Sequence, residues 1–163
     1  VDELRNLKFE DLELDKDPVV VRVKGTKAKE RKSRVTFIST EAKNALLNYI
    51  EKRKQKNPIS SDSFVFVTKR GDQMSYQNLQ FVLRKALNLV ARKEGKRFNL
   101  HGHSLRKFFK TQMISAGVPG PIVDRLVGHK RYLAEEYELY TEEQLRKWYL
   151  RAEKNLLIYT EGG

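Results

Sequence analysis

The sequence predicts a mainly α-helical domain with a small antiparallel β-sheet near its N-terminus. Two β-branched runs stand close together early in the chain, and apolar residues recur at helical spacing in most of the remaining sequence. The 163 residues, 39% of them hydrophobic, are enough to bury one core. We therefore expect a single domain spanning 1–163.

The runs "DPVVVRVKG" and "SRVTFIS" are typical of strands, and the basic run "KGTKAKERK" between them predicts a hairpin with a long cationic tip. Ser39 or Thr40 then caps a helix. The apolar residues of that helix recur at helical spacing: Ala42, Ala45, Leu46, Tyr49 and Ile50. After a loop, "FVFVT" predicts a short strand or extended segment, and "KRGDQ" predicts a turn.

Four helices are predicted in the second half of the chain. Ser75 begins a long amphipathic helix, whose apolar side consists of Leu79, Val82, Leu83, Ala86, Leu87 and Val90. "HSLRKFFKTQMISAGV" predicts a helix that ends at Gly117, and "PGPIVDRLVG" a short helix with Pro121 in its first turn. Thr141 and Gln144 form a capping box for a last helix through about Leu157.

The charge of the chain indicates a polyanionic partner. Thirty-three Lys and Arg residues against 21 Asp and Glu give a net charge of +12, and the acids lie mostly near the two ends. Between Arg22 and Arg34 there are seven basic residues and one acid. This separation favours a nucleic-acid-binding face over an evenly solvated surface. The absence of cysteine excludes disulfides and thiolate metal sites, and no apolar run approaches the roughly 18 residues of a membrane helix.

Two of the three histidines stand in "HGHSLRKFFK". His103 and Arg106 share a helical face in the first turn, where unpaired N–H groups and the helix dipole favour an anion. From these residues alone, phosphate binding and an ordinary capped helix both remain open. A metal site is disfavoured, because His101 and His103 would face different ways and no carboxylate cluster accompanies them.

The ordered set of motifs resembles the catalytic half of a tyrosine recombinase of the phage-integrase type. An H-x-x-R pair is followed by L-V-G-H and by a tyrosine eight residues later, in "HSLRKFFKTQMISAGVPGPIVDRLVGHK" and beyond. "ELRNLKFEDLEL", the cationic hairpin and "FVFVTKRGDQMSYQNLQ" also match the family, so that the resemblance covers nearly the whole chain. It implies the fold of DNA breaking-rejoining enzymes and site-specific recombination.

The resemblance assigns three residues to the scissile phosphate. Arg106 would bind its non-bridging oxygens and stabilise the charge of the transition state. His103 would assist proton transfer or hold the phosphate, and His129 would donate a hydrogen bond to it.

A hairpin lysine would protonate the departing 5′ oxygen, and Lys27 matches the usual position better than the alternative, Lys24. A tyrosine would attack to give a 3′-phosphotyrosyl intermediate. That tyrosine commonly lies nine residues after the histidine, where this chain has Glu138. Tyr137, four residues before Thr141, is the preferred nucleophile and Tyr140 the alternative.

The resemblance and the charge together predict double-stranded DNA as the partner, contacted by Arg22, Lys24, Lys29, Arg31, Lys32, Lys107 and Lys130. No cofactor and no metal are implied, and a tetramer on DNA is implied for the full-length protein. The family's first catalytic arginine would immediately precede Val1, so we expect this truncated chain to bind DNA but to cleave it poorly. The C-terminal sequence and the lysine-rich composition resemble those of integrases of archaeal viruses and plasmids. Such an integrase would act on DNA in the host cytoplasm. A non-catalytic DNA-binding module and a type IB topoisomerase-like enzyme are the alternatives.

Overall fold

The computed structural model describes residues 1–25, 33–89, 93–94, 97–98, 100, 102–128 and 140–158, with the backbone alone at 93–94 and 97–98. The helices are Asp2–Arg5 (α1), Thr40–Lys54 (α2), Tyr76–Asn88 (α3), Gly102–Ser115 (α4), Gly120–Val127 (α5) and Glu142–Leu156 (α6). The strands are Leu12–Glu13 (β1), Val19–Val23 (β2), Arg34–Ile38 (β3), Lys93–Glu94 (β4) and Arg97–Phe98 (β5). A 3₁₀ turn at Phe9–Asp11 precedes β1. The mainly helical fold with a small antiparallel sheet is confirmed.

The sheet has the order β1-β2-β3, and both pairings are antiparallel. Val19 lies opposite Ile38 and Val23 opposite Arg34, so that β2 and β3 form the predicted hairpin. The cationic tip, 26–32, lies outside the described residues. A second antiparallel pair of short strands, β4 and β5, was not predicted. The segment "FVFVT" forms only isolated bridges at Phe64 and Val67, and is therefore extended rather than a strand.

Local signals place the helix boundaries where the sequence predicts them. The side chains of Ser39, Ser75 and Thr141 accept hydrogen bonds from the first turns of α2, α3 and α6. The capping box between Thr141 and Gln144 is complete. Because Gly128 adopts the left-handed conformation at φ 72°, α5 ends there.

The core lies where α5 packs between the sheet and its neighbouring helices. Ile122 of α5, Met113 of α4 and Tyr149 of α6 are at most 2% exposed. Phe37 of β3 joins them, with its ring centroid 5.3 Å from that of Tyr149. This packing fixes α4 and the C-terminal end of α5 relative to the hairpin. Most of the predicted site residues that the structure describes lie on α4 and in the hairpin.

The predicted apolar side of α3 is only partly buried. Leu79 is buried, whereas Val82 is 48% exposed. The neighbouring Phe81 is 62% exposed. Among the described residues, α3 contacts mainly α1 and α4.

Candidate active site

The first two turns of α4 carry the predicted H-x-x-R pair. His103 is exposed and Arg106 is half-buried one turn later. Arg106 donates a hydrogen bond from Nη1 to the main-chain oxygen of Val127, at 2.7 Å. Since Val127 is the last residue of α5, this bond joins the pair to the turn that leads into His129.

Arg34 of β3 also contacts the end of α5. Its Nη1 and Nη2 donate to the two carboxylate oxygens of Glu3, at 2.9 and 2.8 Å, and its Nε lies 3.4 Å from the main-chain oxygen of Leu126. Sequence reasoning missed both Arg34 and Glu3. The available signal was the one charged residue in the run "RVTFI", because a charge in a half-buried strand requires a partner.

Of the hairpin residues predicted to bind DNA, the structure describes Lys24 and Arg22, and both are bound to carboxylates. Lys24 Nζ lies 2.6 Å from Glu10 Oε1 and 2.9 Å from Asp11 Oδ1. The hydrogen bond to Glu10, followed by that to Asp11, raises the pKa of Lys24. Lys24 is therefore a weaker proton donor than a lysine without these partners.

Arg22, which lies on β2 two residues before Lys24, has a similar arrangement. Its Nε donates to Glu13 Oε1 at 2.6 Å, and its Nη1 donates to Glu142 Oε2 at 3.0 Å. The hydrogen bond to Glu13 is the main reason that the pKa of Arg22 is raised. Arg22 thus connects β2 to the first turn of α6, so that binding a DNA phosphate would compete with two carboxylates.

Tyr140, the alternative nucleophile, is half-buried and packs against the core cluster. It lines an open cavity of about 610 Å³ between the hairpin and the ends of α5 and α6. Arg125 and Arg34 line the same cavity. The tyrosine ring therefore already serves as packing in this conformation.

Lys107 follows Arg106 and is exposed on α4. Seven predicted site residues lie outside the described residues and stay predictions: Lys27, Lys29, Arg31, Lys32, His129, Lys130 and Tyr137. Within the described ranges there is no group of three or more His, Asp or Glu side chains that could hold a metal ion. None of the helices described is long and apolar enough to cross a membrane.

Comparison with known proteins identifies the family. The sequence model described as "Phage integrase family" matches residues 1–144. The chain belongs to the phage integrase family. The resemblance to tyrosine recombinases is thereby confirmed.

Named relatives agree with this membership. Tyrosine recombinase XerC of Bacillus pumilus (strain SAFR-032) is 30% identical over 155 residues, which cover 92% of this chain and 48% of the relative. Tyrosine recombinase XerC of Actinobacillus pleuropneumoniae serotype 7 (strain AP76) is 33% identical over 127 residues, covering 78% of this chain and 38% of the relative. The chain thus spans about half, or less, of the length of these relatives.

A solved structure shows the same fold. The crystal structure of XerA recombinase superposes with a TM-score of 0.62 at 19% identity, covering 92% of this chain and 52% of that one. At this identity the likeness concerns the fold alone. It agrees with the predicted DNA breaking-rejoining fold.

Proposed function

We propose that this chain is the catalytic domain of a site-specific tyrosine recombinase, which cuts and rejoins double-stranded DNA. The observation that carries the proposal is the attachment of the H-x-x-R helix to the L-V-G-H turn by the hydrogen bond from Arg106 to Val127. Membership of the phage integrase family supports it. The bond brings two motifs that are 21 residues apart in sequence to one place.

The reaction exchanges one phosphodiester for another. The Tyr137 oxygen attacks phosphorus and passes its proton to His103 or to solvent water, while the bond from phosphorus to the 5′ oxygen breaks. Lys27 supplies the proton that the 5′ oxygen needs to leave as a hydroxyl. Rejoining reverses these steps: a 5′-hydroxyl attacks the phosphotyrosyl ester and releases the tyrosine. The phosphotyrosyl ester conserves the energy of the broken phosphodiester bond, so that rejoining consumes no nucleotide cofactor.

The phosphate-binding groups act on charge. Negative charge builds up on the non-bridging oxygens in the transition state, and a guanidinium at Arg106 stabilises it by charge-assisted hydrogen bonds. His103 lies on the same helix face one turn earlier, at the end where the helix dipole also favours an anion. His129 follows the Gly128 turn and would complete the set.

The wider setting belongs to the same proposal. Residues 1–163 would form one catalytic domain that acts as part of a DNA-bound tetramer, and the natural substrate would be the DNA of a mobile element of archaeal viral or plasmid type. The basic hairpin and the net charge of +12 support DNA as the partner. Such an enzyme would act in the cytoplasm of its host, associated with the chromosomal DNA.

The test is the formation of a covalent DNA adduct by the natural full-length protein. Duplexes are first enriched from a randomised pool for binding, and are then nicked so that the cut end dissociates and traps the adduct. We expect a phosphotyrosyl peptide at Tyr137, no adduct with Tyr137→Phe, and full adduct with Tyr140→Phe. Tyr76→Phe, on the exposed surface of α3, is the matched control. Absence of any adduct would leave a non-catalytic DNA-binding module.

A further inference from the structure

We propose that Arg34 is a positioning residue for the recombination reaction. It holds the turn that ends α5, and with it the backbone that leads into His129, at a fixed distance from Arg106. The inference rests on the proposed function, because it concerns the geometry of the phosphate-binding groups. Three observations carry it: the ion pair with Glu3, the close approach to Gly128, and the neighbouring bond from Arg106.

The guanidinium of Arg34 is itself rigidly held. The side chain is 10% exposed, and both of its terminal nitrogens donate to the two oxygens of Glu3. A planar fork bound to a carboxylate by two parallel hydrogen bonds has one orientation, which a lysine cannot reproduce. Arg34 thus joins β3 to α1 while presenting its Nε edge to the end of α5.

Gly128 leaves the space that this edge occupies. A Cβ atom at position 128 would lie 2.6 Å from Arg34 Cζ and 2.7 Å from its Nε, closer than real carbon atoms approach. Gly128 also has φ 72°, a conformation that other residues rarely adopt. Glycine is therefore required at position 128 for two reasons: the backbone has a positive φ, and Arg34 occupies the space that a side chain would need.

Two arginines hold consecutive carbonyl groups at this helix end. Arg34 Nε faces the oxygen of Leu126 at 3.4 Å, and Arg106 Nη1 binds that of Val127 at 2.7 Å. The last carbonyls of a helix lack intrahelical partners, so these side chains decide where the following residue begins. The following residue is Gly128, and His129 comes directly after it. Losing Arg34 would remove one of these two side-chain contacts, and a shift of about 1 Å in a phosphate-binding group lowers a rate by roughly 100-fold.

The test measures single-turnover adduct formation at saturating DNA by the natural full-length protein, using the nicked duplexes enriched from the randomised pool. We expect Arg34→Met to lower this rate by roughly 100-fold and Arg34→Lys by about 10-fold. DNA affinity should change little, since the Arg34 side chain is 10% exposed and both of its terminal nitrogens are bound to Glu3. Arg53→Met is the matched control, because Arg53 is a 7% exposed arginine that donates to main-chain oxygens elsewhere in the fold, those of Phe64 and Val65. That variant should lose stability and retain the rate at a temperature where it is folded.

A double variant separates positioning from stability. Gly128→Ala should slow cleavage, and in an Arg34→Ala background its further effect should be smaller, because the clash with the guanidinium is gone. Additive defects would contradict the inference, as would a wild-type rate in folded Arg34→Met. If Arg34→Met does not fold, a wild-type rate in Arg34→Lys overturns it equally. Failure of the wild-type protein to form any adduct would instead refute the proposed function.

Discussion

The hydrogen bond from Arg106 to the main-chain oxygen of Val127 gives this arginine a structural contact beside its proposed role in phosphate binding. Its Nη1 holds the C-terminal end of α5 at 2.7 Å, while its guanidinium is the group predicted to bind the scissile phosphate. A guanidinium carries five N–H donors in a fixed plane, so one arginine side chain can donate hydrogen bonds to a carbonyl oxygen and to an anion at the same time. The orientation of the phosphate-binding edge is thereby set by the protein before DNA arrives.

The first prediction concerns Arg106→Lys. The lysine keeps the charge but cannot donate to Val127 and to two phosphate oxygens in one plane. We expect adduct formation at saturating DNA to fall by roughly 10²- to 10³-fold, the usual effect of removing a donor to transition-state charge. DNA affinity, measured by fluorescence anisotropy, should change little. Lys110→Arg, a conservative change on the same helix, is the control. A rate near that of wild type in Arg106→Lys would contradict the role.

The second prediction separates the two candidate general acids. Glu10 and Asp11 raise the pKa of Lys24 by stabilising its charged form, which makes proton release harder. We therefore expect Lys27→Met to slow cleavage by roughly 10²- to 10⁴-fold and Lys24→Met to do so far less. A substrate with sulfur in place of the 5′ bridging oxygen needs no proton donor, since a thiolate leaves readily. Cleavage of that substrate should be restored for Lys27→Met. Restoration for Lys24→Met alone would reverse the assignment.

The third prediction concerns the salt dependence of DNA binding. Lys107 is exposed beside Arg106, so we expect it to contact a DNA phosphate. Lys107→Met should therefore reduce the magnitude of the slope of log K against log salt by about 0.9. Arg22→Met should reduce the slope less, because Arg22 must first leave Glu13 and Glu142. Lys52→Met, the same charge change on an exposed residue of α2, is the control. Equal losses for Lys107 and Arg22 would show that the carboxylates do not compete with DNA.

Features encoded by neighbouring residues could be predicted from the sequence. Ser39, Ser75 and Thr141 cap helices by bonds that span three residues, and Gly128 ends α5 through its own backbone conformation. The hairpin β2–β3 follows from two β-branched runs near each other. In each case the residues that determine the structure lie within one turn or one hairpin of the result.

Features that depend on distant partners could not be predicted. Arg34 binds Glu3, which is 31 residues away in sequence, and contacts Leu126, which is 92 residues away. No local sequence pattern predicts either contact. Lys24 is similarly placed by Glu10 across 14 residues. The family resemblance indicates which residue types act on the phosphate, but the contacts that orient them become visible only in three dimensions.

The last prediction uses the buried tyrosine of α6. Burial, with a smaller contribution from Glu153, raises the pKa of Tyr149, whose ring lies against Phe37. The folded chain therefore holds the Tyr149 proton more tightly than the unfolded chain does, and the stability that this provides is complete below the ordinary tyrosine pKa of about 10. As the pH rises above that value, the free energy of unfolding should fall by up to about 1.4 kcal/mol per pH unit through this group.

Urea unfolding of the chain, followed by circular dichroism from about pH 9 upwards, measures this effect. Tyr149→Phe cannot ionise at this position, so its stability should decline less steeply, and Tyr76→Phe, the same substitution at the exposed surface, is the matched control. Other ionisable groups contribute equally to all three proteins and cancel in the differences. Parallel curves for wild type and Tyr149→Phe would mean that Tyr149 ionises as easily in the folded chain as in the unfolded one, contrary to its burial in the core.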